Sequence, residues 1–141
     1  MPSNPRFLSL VGEVQFDGNK LEGQLPLELF ALPQLFRLYL DDNAFTGTLP
    51  EEISTVSNLR YLRVQNTQVG GTLPAGLFNL VNLFELSLSG SNFAGTLPVS
   101  FSRLANATDI LLNNNTFTGT IPADAFAALT RLSKLCMAQF S

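Results

Sequence analysis

Apolar residues recur along this chain with a fixed period, and that period predicts its elements. Leu38, Leu62 and Leu86 are spaced 24 residues apart, and each is followed two positions later by another apolar residue. Since alternate strand residues face the same side, each pair predicts a short strand with one buried face. The two columns read Val14, Leu38, Leu62, Leu86, Ile110 and Leu135, then Phe16, Leu40, Val64, Leu88, Leu112 and Met137. A fixed period of this size is typical of stacked repeats, whose copies bury one continuous core together.

Small and polar residues occupy further fixed positions in each copy. Where the chain leaves the strand, a polar column reads Asn19, Asn43, Thr67, Ser91 and Asn115. Its amides can hydrogen-bond to turn backbone groups inside the coil. Thr67 and Ser91 carry only hydroxyls, so we expect weaker hydrogen bonding in the middle copies of this column. Two columns follow without exception: Gly23, Gly47, Gly71, Gly95 and Gly119, and Pro26, Pro50, Pro74, Pro98 and Pro122. The glycines predict a positive φ or a close approach, and the prolines end the pairing of that segment.

The copies predict a single domain. It comprises a half-repeat at 1–10, repeats at 11–34, 35–58, 59–82, 83–106 and 107–131, and a partial repeat at 132–141. The segments returning from each proline to the next strand predict about one helical turn. Ala123–Thr130 is richest in helix formers, so it should hold the longest helical turn.

This pattern resembles the plant-type leucine-rich repeat, LxxLxLxxNxFxGxLPxxLxxLxx, over nearly the whole chain. The resemblance implies an α/β fold, a right-handed solenoid with a concave parallel β-sheet and short helical or 3-10 return segments. It also implies recognition, because similar units form ectodomains of receptor-like kinases and receptor-like proteins and occur in algal and protist proteins. We therefore expect a non-catalytic binding module for a protein, peptide or glycan, as a fragment of a larger receptor-like protein.

Two alternatives remain open at this point. Cysteine-paired caps, which often close such arrays outside the cell, are missing, and uncapped terminal strands are templates for pairing. A structural unit that associates end to end is therefore one alternative. The other is ice binding by a ladder just before the Leu-Pro or Ile-Pro pair, although β-branched residues also simply suit a short outer strand. The ladder reads Gln24, Thr48, Thr72, Thr96 and Thr120.

Composition narrows the function classes. Net charge is −3 and no cluster of Lys or Arg occurs, which argues against a nucleic-acid partner. With no His and a single cysteine, Cys136, we expect no His-based catalysis, internal disulfide, metal site or cofactor. No apolar run approaches the roughly 18 residues of a membrane span, and the start lacks signal-peptide features. The cellular location stays undetermined, and would be extracellular or at the cell surface for a receptor-like protein.

Side chains that flank the apolar strand residues point out of the core and vary between copies. Tyr and Arg are enriched at binding hot spots, so this face is the candidate ligand site. The alternative is that cross-strand pairs merely stabilise the sheet: Glu13 with Arg37, Tyr39 with Arg63, and Asp109 with Lys134. Six strands give about 240 Å², well below the about 800 Å² per partner of a standard interface. The candidate residues are Arg37, Tyr39, Asp41, Tyr61, Arg63, Gln65, Glu85 and Leu111.

Two kinds of short motif also occur. The acceptor pattern for N-glycosylation begins at Asn106 and again at Asn114, and we expect Asn106 to be the acceptor. The acid pairs Asp41-Asp42 and Glu51-Glu52 predict solvated turns or helix N-terminal charges rather than catalytic carboxylates.

Overall fold

A computed structural model describes residues 8–137, so the outer parts of the predicted half-repeat 1–10 and partial repeat 132–141 lie outside the described residues. Within that range, short helices follow the prolines: 3-10 helices at Leu27–Ala31, Glu51–Thr55, Ala75–Asn79 and Val99–Arg103, and an α-helix at Ala123–Ala128. The strands are β1 (Glu13–Gln15), β2 (Glu22–Gln24), β3 (Arg37–Tyr39), β4 (Ala44–Thr46), β5 (Tyr61–Arg63), β6 (Gly70–Thr72), β7 (Glu85–Ser87), β8 (Asn92–Gly95), β9 (Asp109–Leu111), β10 (Thr116–Phe117) and β11 (Lys134–Cys136).

Six strands, one from each copy, form a parallel sheet in the order β1-β3-β5-β7-β9-β11. Leu38 lies opposite Leu62, and Leu62 lies opposite Leu86. The predicted 24-residue register is therefore confirmed, and the chain is an α/β solenoid. No helix in the described range is long and apolar enough to cross a membrane.

The core runs through the middle of the coils as one continuous cluster. Phe78, Phe93 and Phe101 are among the largest fully buried side chains. Phe101 lies between two other rings, with centroid distances of 6.1 Å to Phe78 and 6.4 Å to Phe126. Tilted aromatic pairs of this kind stabilise a core beyond the area they bury, so the rings tie the return segments of neighbouring coils together.

The predicted longest helical turn is also confirmed. Ala123–Ala128 is an α-helix of six residues, against five in each 3-10 helix that follows the earlier prolines. The one-residue insertion of this copy lengthens the return segment, and its alanines favour the helix.

The polar column satisfies backbone groups inside the coils, as predicted. The side-chain nitrogen of Asn43 donates to three carbonyls at 2.8, 3.1 and 3.0 Å, and its oxygen accepts from the amide of Leu21. Asn115 repeats this pattern three copies later. Between them, the Thr67 and Ser91 hydroxyls lie 3.2 Å apart, and Ser91 donates to one carbonyl. The ladder thus makes fewer bonds in its middle, because a hydroxyl has fewer bonding atoms than a carboxamide.

The glycine column meets both requirements predicted for it. All five glycines have φ between +76° and +86°, a region that side chains rarely adopt. In addition, a Cβ at Gly95 would lie 2.9 Å from the methyl of Thr72 in the preceding coil, and one at Gly71 would lie 3.2 Å from that of Thr48. The exposed threonine ladder is therefore packed onto the glycine column of the next coil.

A second column of left-handed residues lies at the end of the main strands, and it was not predicted from the repeat. Its φ values fall between 50° and 68°. Asp and Asn tolerate this conformation better than other side chains, so residue type at this position was the available signal. The column reads Gly18, Asp42, Asn66, Gly90 and Asn114.

Glu51 joins two return segments. Its carboxylate oxygens accept hydrogen bonds from the amides of Ala75 and Gly76, each at 3.0 Å. The first amides of a helix lack partners within it and favour negative charge. Glu51 lies in the first turn of its own helix, as predicted, and caps the helix of the next coil.

The glycine column allows strain and contact to be separated by substitution. Gly23 has φ +86° and no atom within 4 Å of the point where a Cβ would lie, whereas Gly95 has φ +85° and the Thr72 methyl at 2.9 Å. We expect Gly23→Ala to lower the free energy of unfolding by about 1–2 kcal/mol through the left-handed φ alone. Gly95→Ala should cost at least about 1 kcal/mol more through overpacking.

Urea denaturation of both variants measures this difference. Adding Thr72→Ser to Gly95→Ala removes the methyl. The double variant should therefore recover most of the additional loss in free energy of unfolding that Gly95→Ala shows over Gly23→Ala. Equal decreases in free energy of unfolding for Gly23→Ala and Gly95→Ala would show that the threonine contact does not contribute to the cost.

Candidate ligand-binding surface

The outward side chains of the six-stranded sheet form a continuous surface, here called the strand face. The register places Arg37, Tyr61 and Glu85 side by side on β3, β5 and β7. A second row, from Tyr39 through Arg63 and Ser87 to Leu111, crosses the same strands and β9. Asp41 and Gln65 follow β3 and β5. The strand register thus brings the eight predicted residues together on one side of the sheet.

Arg63 links three strands of the strand face. Its Nε lies 2.7 Å and its Nη2 3.2 Å from the two carboxylate oxygens of Glu85. Its guanidinium carbon also lies 4.3 Å from the ring centre of Tyr39. The Glu85 side chain is only 13% exposed, so this two-point contact compensates a largely buried charge. Glu85 also raises the pKa of Arg63, and the guanidinium stays charged.

Arg37 forms the second charged centre. Its Nη1 lies 2.8 Å from Oε2 of Glu13. Its guanidinium carbon lies 5.7, 5.6 and 5.1 Å from the ring centres of Phe36, Tyr39 and Tyr61, within range of cation–π attraction. Its Nε is buried without a hydrogen-bond partner. Tyr39 therefore lies between two guanidinium groups, and Tyr61 lies against one.

Two of the three predicted cross-strand pairs are in side-chain contact, and the third is placed side by side by the register without forming an ion pair. Glu13 pairs with Arg37, and Arg63 lies over Tyr39. Lys134 lies opposite Asp109 in the register, but the ion pairs among residues 8–137 are those of Arg37 and Arg63. Asp109 instead accepts a hydrogen bond of 3.3 Å from the hydroxyl of Ser133, which lies in the neighbouring coil.

Glu85 was not predicted as the partner of Arg63. In the register Arg63 lies opposite Ser87, so Glu85 occupies the diagonal position. Long side chains reach diagonal neighbours in a sheet, and opposite charge at that offset was the signal available in the sequence. The Ser87 hydroxyl beneath this pair is buried without a hydrogen-bond partner.

Asp41 lies at the carboxyl end of β3 and is 8% exposed. One carboxylate oxygen accepts a hydrogen bond of 3.0 Å from the amide of Gln65. Burial raises the pKa of Asp41 to about 6, against the opposing effects of that hydrogen bond and of the Arg63 charge. Its charge therefore changes around pH 6.

A groove, here called the edge groove, adjoins the strand face at the amino ends of the strands. Its cavity volume is about 390 Å³, and its wall combines one cation, one aromatic ring and three carboxamides. Asn58 and Asn82 each donate a hydrogen bond to a carbonyl of the preceding coil, at 3.1 and 3.0 Å. This site was not predicted from the sequence, where its signal was a second series of amides 24 residues apart. The lining residues are Gln34, Phe36, Asn58, Arg60 and Asn82.

The two predicted glycosylation positions differ in access. The side-chain nitrogen of Asn106 donates a hydrogen bond of 2.8 Å to the carbonyl of Val81, and this residue is half-buried. Asn114 is exposed on the left-handed column. Attachment at Asn106 stays a prediction, and geometry makes Asn114 the more open of the two.

Metal-binding groups are not assembled in the described part of the chain. No group of three or more His, Cys, Asp or Glu side chains that could hold a metal occurs there. Cys136 has a free thiol.

Known proteins match the chain at the level of the repeat and of the fold. A family model described as Leucine Rich Repeat matches residues 34–56 and 82–104. A search of curated protein sequences finds no match.

Several solved structures are similar to the chain. A TDR receptor shares 36% identity with TM-score 0.84, over 87% of this chain and 21% of that one. The plant peptide hormone receptor RGFR1 in complex with RGF2 shares 30% identity with TM-score 0.84, over 88% and 20%. A plant ice-binding protein shares 32% identity with TM-score 0.77, over 82% and 38%. The chain thus spans about a fifth of the length of these two receptors.

Titration of Asp41 predicts a pH-dependent stability. Because its folded pKa is raised to about 6, above an unfolded value of about 3.9, the folded chain holds this proton more tightly. The contribution is fully present below about pH 3.9 and is lost as pH rises through about 6. Relative to wild type, Asp41→Asn should therefore gain about 1–3 kcal/mol in free energy of unfolding between pH 3.5 and 7.

Urea denaturation of both proteins across this pH range measures the difference. Asn at this position keeps an oxygen that can accept from the Gln65 amide, so the hydrogen bond is conserved. A difference that stays constant with pH would contradict the assignment.

Proposed function

Because the chain is built from leucine-rich repeats of the plant type, we propose that it is a non-catalytic binding module whose strand face recognises an extended peptide. One observation carries the proposal. The columns that point inward are nearly uniform, whereas the outward positions differ from coil to coil and gather both tyrosines of the chain beside two arginines. Side chains that are free to vary are those that can encode a ligand.

The tyrosines are held in place before any ligand arrives. Tyr39 lies between the guanidinium groups of Arg37 and Arg63, and Tyr61 lies against Arg37 and the ring of Phe84. Ordering side chains on binding costs about 0.5–1.5 kcal/mol for each rotamer-rich group. A rigid aromatic pair avoids part of that cost and presents large contact area.

Size favours a peptide over a folded protein. A strand face of about 240 Å² falls short of the about 800 Å² that each partner of a standard protein interface buries. Similarity to a plant peptide hormone receptor in complex with RGF2 supports the same ligand class. A protein contacting further surfaces, or a glycan, is the alternative ligand.

Selection from a random peptide library displayed on phage tests the proposal. Enriched peptides should bind wild type at least tenfold more tightly than the Tyr39→Ala/Tyr61→Ala variant, in fluorescence polarisation. Thr72 ends β6 and Thr96 directly follows β8, and both are exposed. The Thr72→Ala/Thr96→Ala variant is the matched control and should bind like wild type. Arg63 is retained in all variants, since its removal would leave Glu85 unpaired.

The proposal fails if wild type enriches no peptide, or if both double variants lose affinity equally. Circular dichroism of each variant establishes that the repeats remain folded.

Ice binding is a second candidate, favoured by the exposed threonine ladder and by the similarity to a plant ice-binding protein. The outer strands form two separate sheets, β2-β4 and β6-β8-β10, joined by a single bridge between Thr48 and Gly70. An interrupted array with one threonine per coil is a poor template for a regular lattice.

We expect no thermal hysteresis from the wild-type protein in nanolitre osmometry. Hysteresis that Thr72→Ala/Thr96→Ala abolishes would instead establish ice binding and displace peptide recognition as the function.

A further inference from the structure

We propose, on the basis of the peptide recognition proposed above, that the edge groove binds an acidic side chain of the peptide through Arg60. The groove is distinct from the tyrosines of the strand face and adds a charge requirement to them. The ligand would then be an extended peptide with an Asp or Glu at a fixed distance from the residues that contact Tyr39 and Tyr61.

Among Arg37, Arg60 and Arg63, Arg60 is the one whose guanidinium N–H groups are not engaged by a carboxylate in the described range. Arg37 and Arg63 are engaged by Glu13 and Glu85, whereas no carboxylate of residues 8–137 lies within ion-pair distance of Arg60. Its side chain is exposed. Its guanidinium carbon lies 5.9 Å from the ring centre of Phe84, so a ring on one side holds the planar group. The N–H edge that remains suits two-point contact with a carboxylate.

The charge around the groove supports an anion. The chain carries eleven acidic and eight basic side chains, yet the groove lining contains none of the acidic ones. The amide of Glu85 donates a hydrogen bond to the carbonyl of Arg60, but the Glu85 carboxylate is already neutralised by Arg63. The groove is therefore a locally positive site on a chain of net charge −3.

The asparagines of the groove suit the backbone of the same ligand. Asn58 and Asn82 each use one N–H on a carbonyl of the preceding coil. Each keeps a second N–H and the carboxamide oxygen, a donor and an acceptor that match a peptide group. Because the coil contacts fix the amides, little ordering is required on binding.

The groove and the strand face form one path for an extended chain. Phe36 precedes Arg37, and Arg60 precedes Tyr61, so the groove lies one residue from the strands. Three neighbouring coils span about 9.6 Å, close to the length of three extended residues at about 3.3 Å each. A peptide running across the coils can therefore place its acidic residue at Arg60 while contacting the tyrosines.

A double-mutant cycle between protein and peptide tests the inference. Peptides enriched from the random library on wild type should carry Asp or Glu at a common position. Arg60→Gln should weaken their binding at least tenfold, and Arg131→Gln, an equal charge change at another exposed arginine, should change it less than twofold. Replacing the peptide acid by its amide should cost tenfold with wild type and almost nothing with Arg60→Gln.

The outcomes separate this inference from the proposed function. Peptides that require Tyr39 and Tyr61 but bind Arg60→Gln normally would overturn the acidic subsite and leave peptide recognition intact. Failure to enrich any peptide would overturn both. An Arg60-dependent interaction with a uronic acid oligosaccharide, in the absence of any enriched peptide, would assign the groove to glycans and also overturn the inference.

Discussion

Stacking of successive coils supplies each coil with the burial and hydrogen bonds that it cannot provide alone. A single strand of three residues has no independent stability. Here Leu38, Leu62 and Leu86 are fully buried because each is covered by the equivalent residue of its neighbours. Polar contacts follow the same rule: Asn82 bonds to a carbonyl 25 residues earlier, and Asn66 to a carboxylate 24 residues earlier. The register between copies is thus the constraint on which core, turns and surfaces depend.

That dependence explains which features could be read from the sequence. Strands, the glycine column and the asparagine bonds follow from one register, because the same contact recurs between the same two positions of successive coils. The Arg63–Glu85 pair, the Glu51 carboxylate on Ala75 and Gly76, and the edge groove could not be read in this way. Side-chain reach decides between several neighbours at similar distance: Glu85 lies 22 residues from Arg63, and Glu51 reaches Gly76, 25 residues away, as well as Ala75. The residue types of Asp42 and Asn66 are compatible with a left-handed conformation. Because glycine occupies the same position in other copies, the column does not stand out as one residue type in the sequence.

The surfaces of the molecule divide by how strongly the repeat constrains them. Thr48, Thr72 and Thr96 pack against glycines of the following coil, so their identity is tied to the core. Side chains of the strand face contact one another across strands and leave the core unchanged when they vary. The arginines there are largely neutralised by Glu13 and Glu85. The strand face therefore presents aromatic area rather than net charge to a ligand. The edge groove contributes the uncompensated charge, and the two surfaces together would give a ligand both shape and charge selectivity.

The contact between each threonine methyl and the glycine of the following coil has a consequence for how such an array lengthens. The partners belong to different copies, so neither can be altered alone without disturbing its neighbour. Duplication of a whole copy brings one new threonine and one new glycine, and therefore preserves every such contact on both sides of the insertion. Adding a complete copy therefore creates no steric conflict between threonine and glycine, whereas replacing one of the two partners alone disturbs the contact.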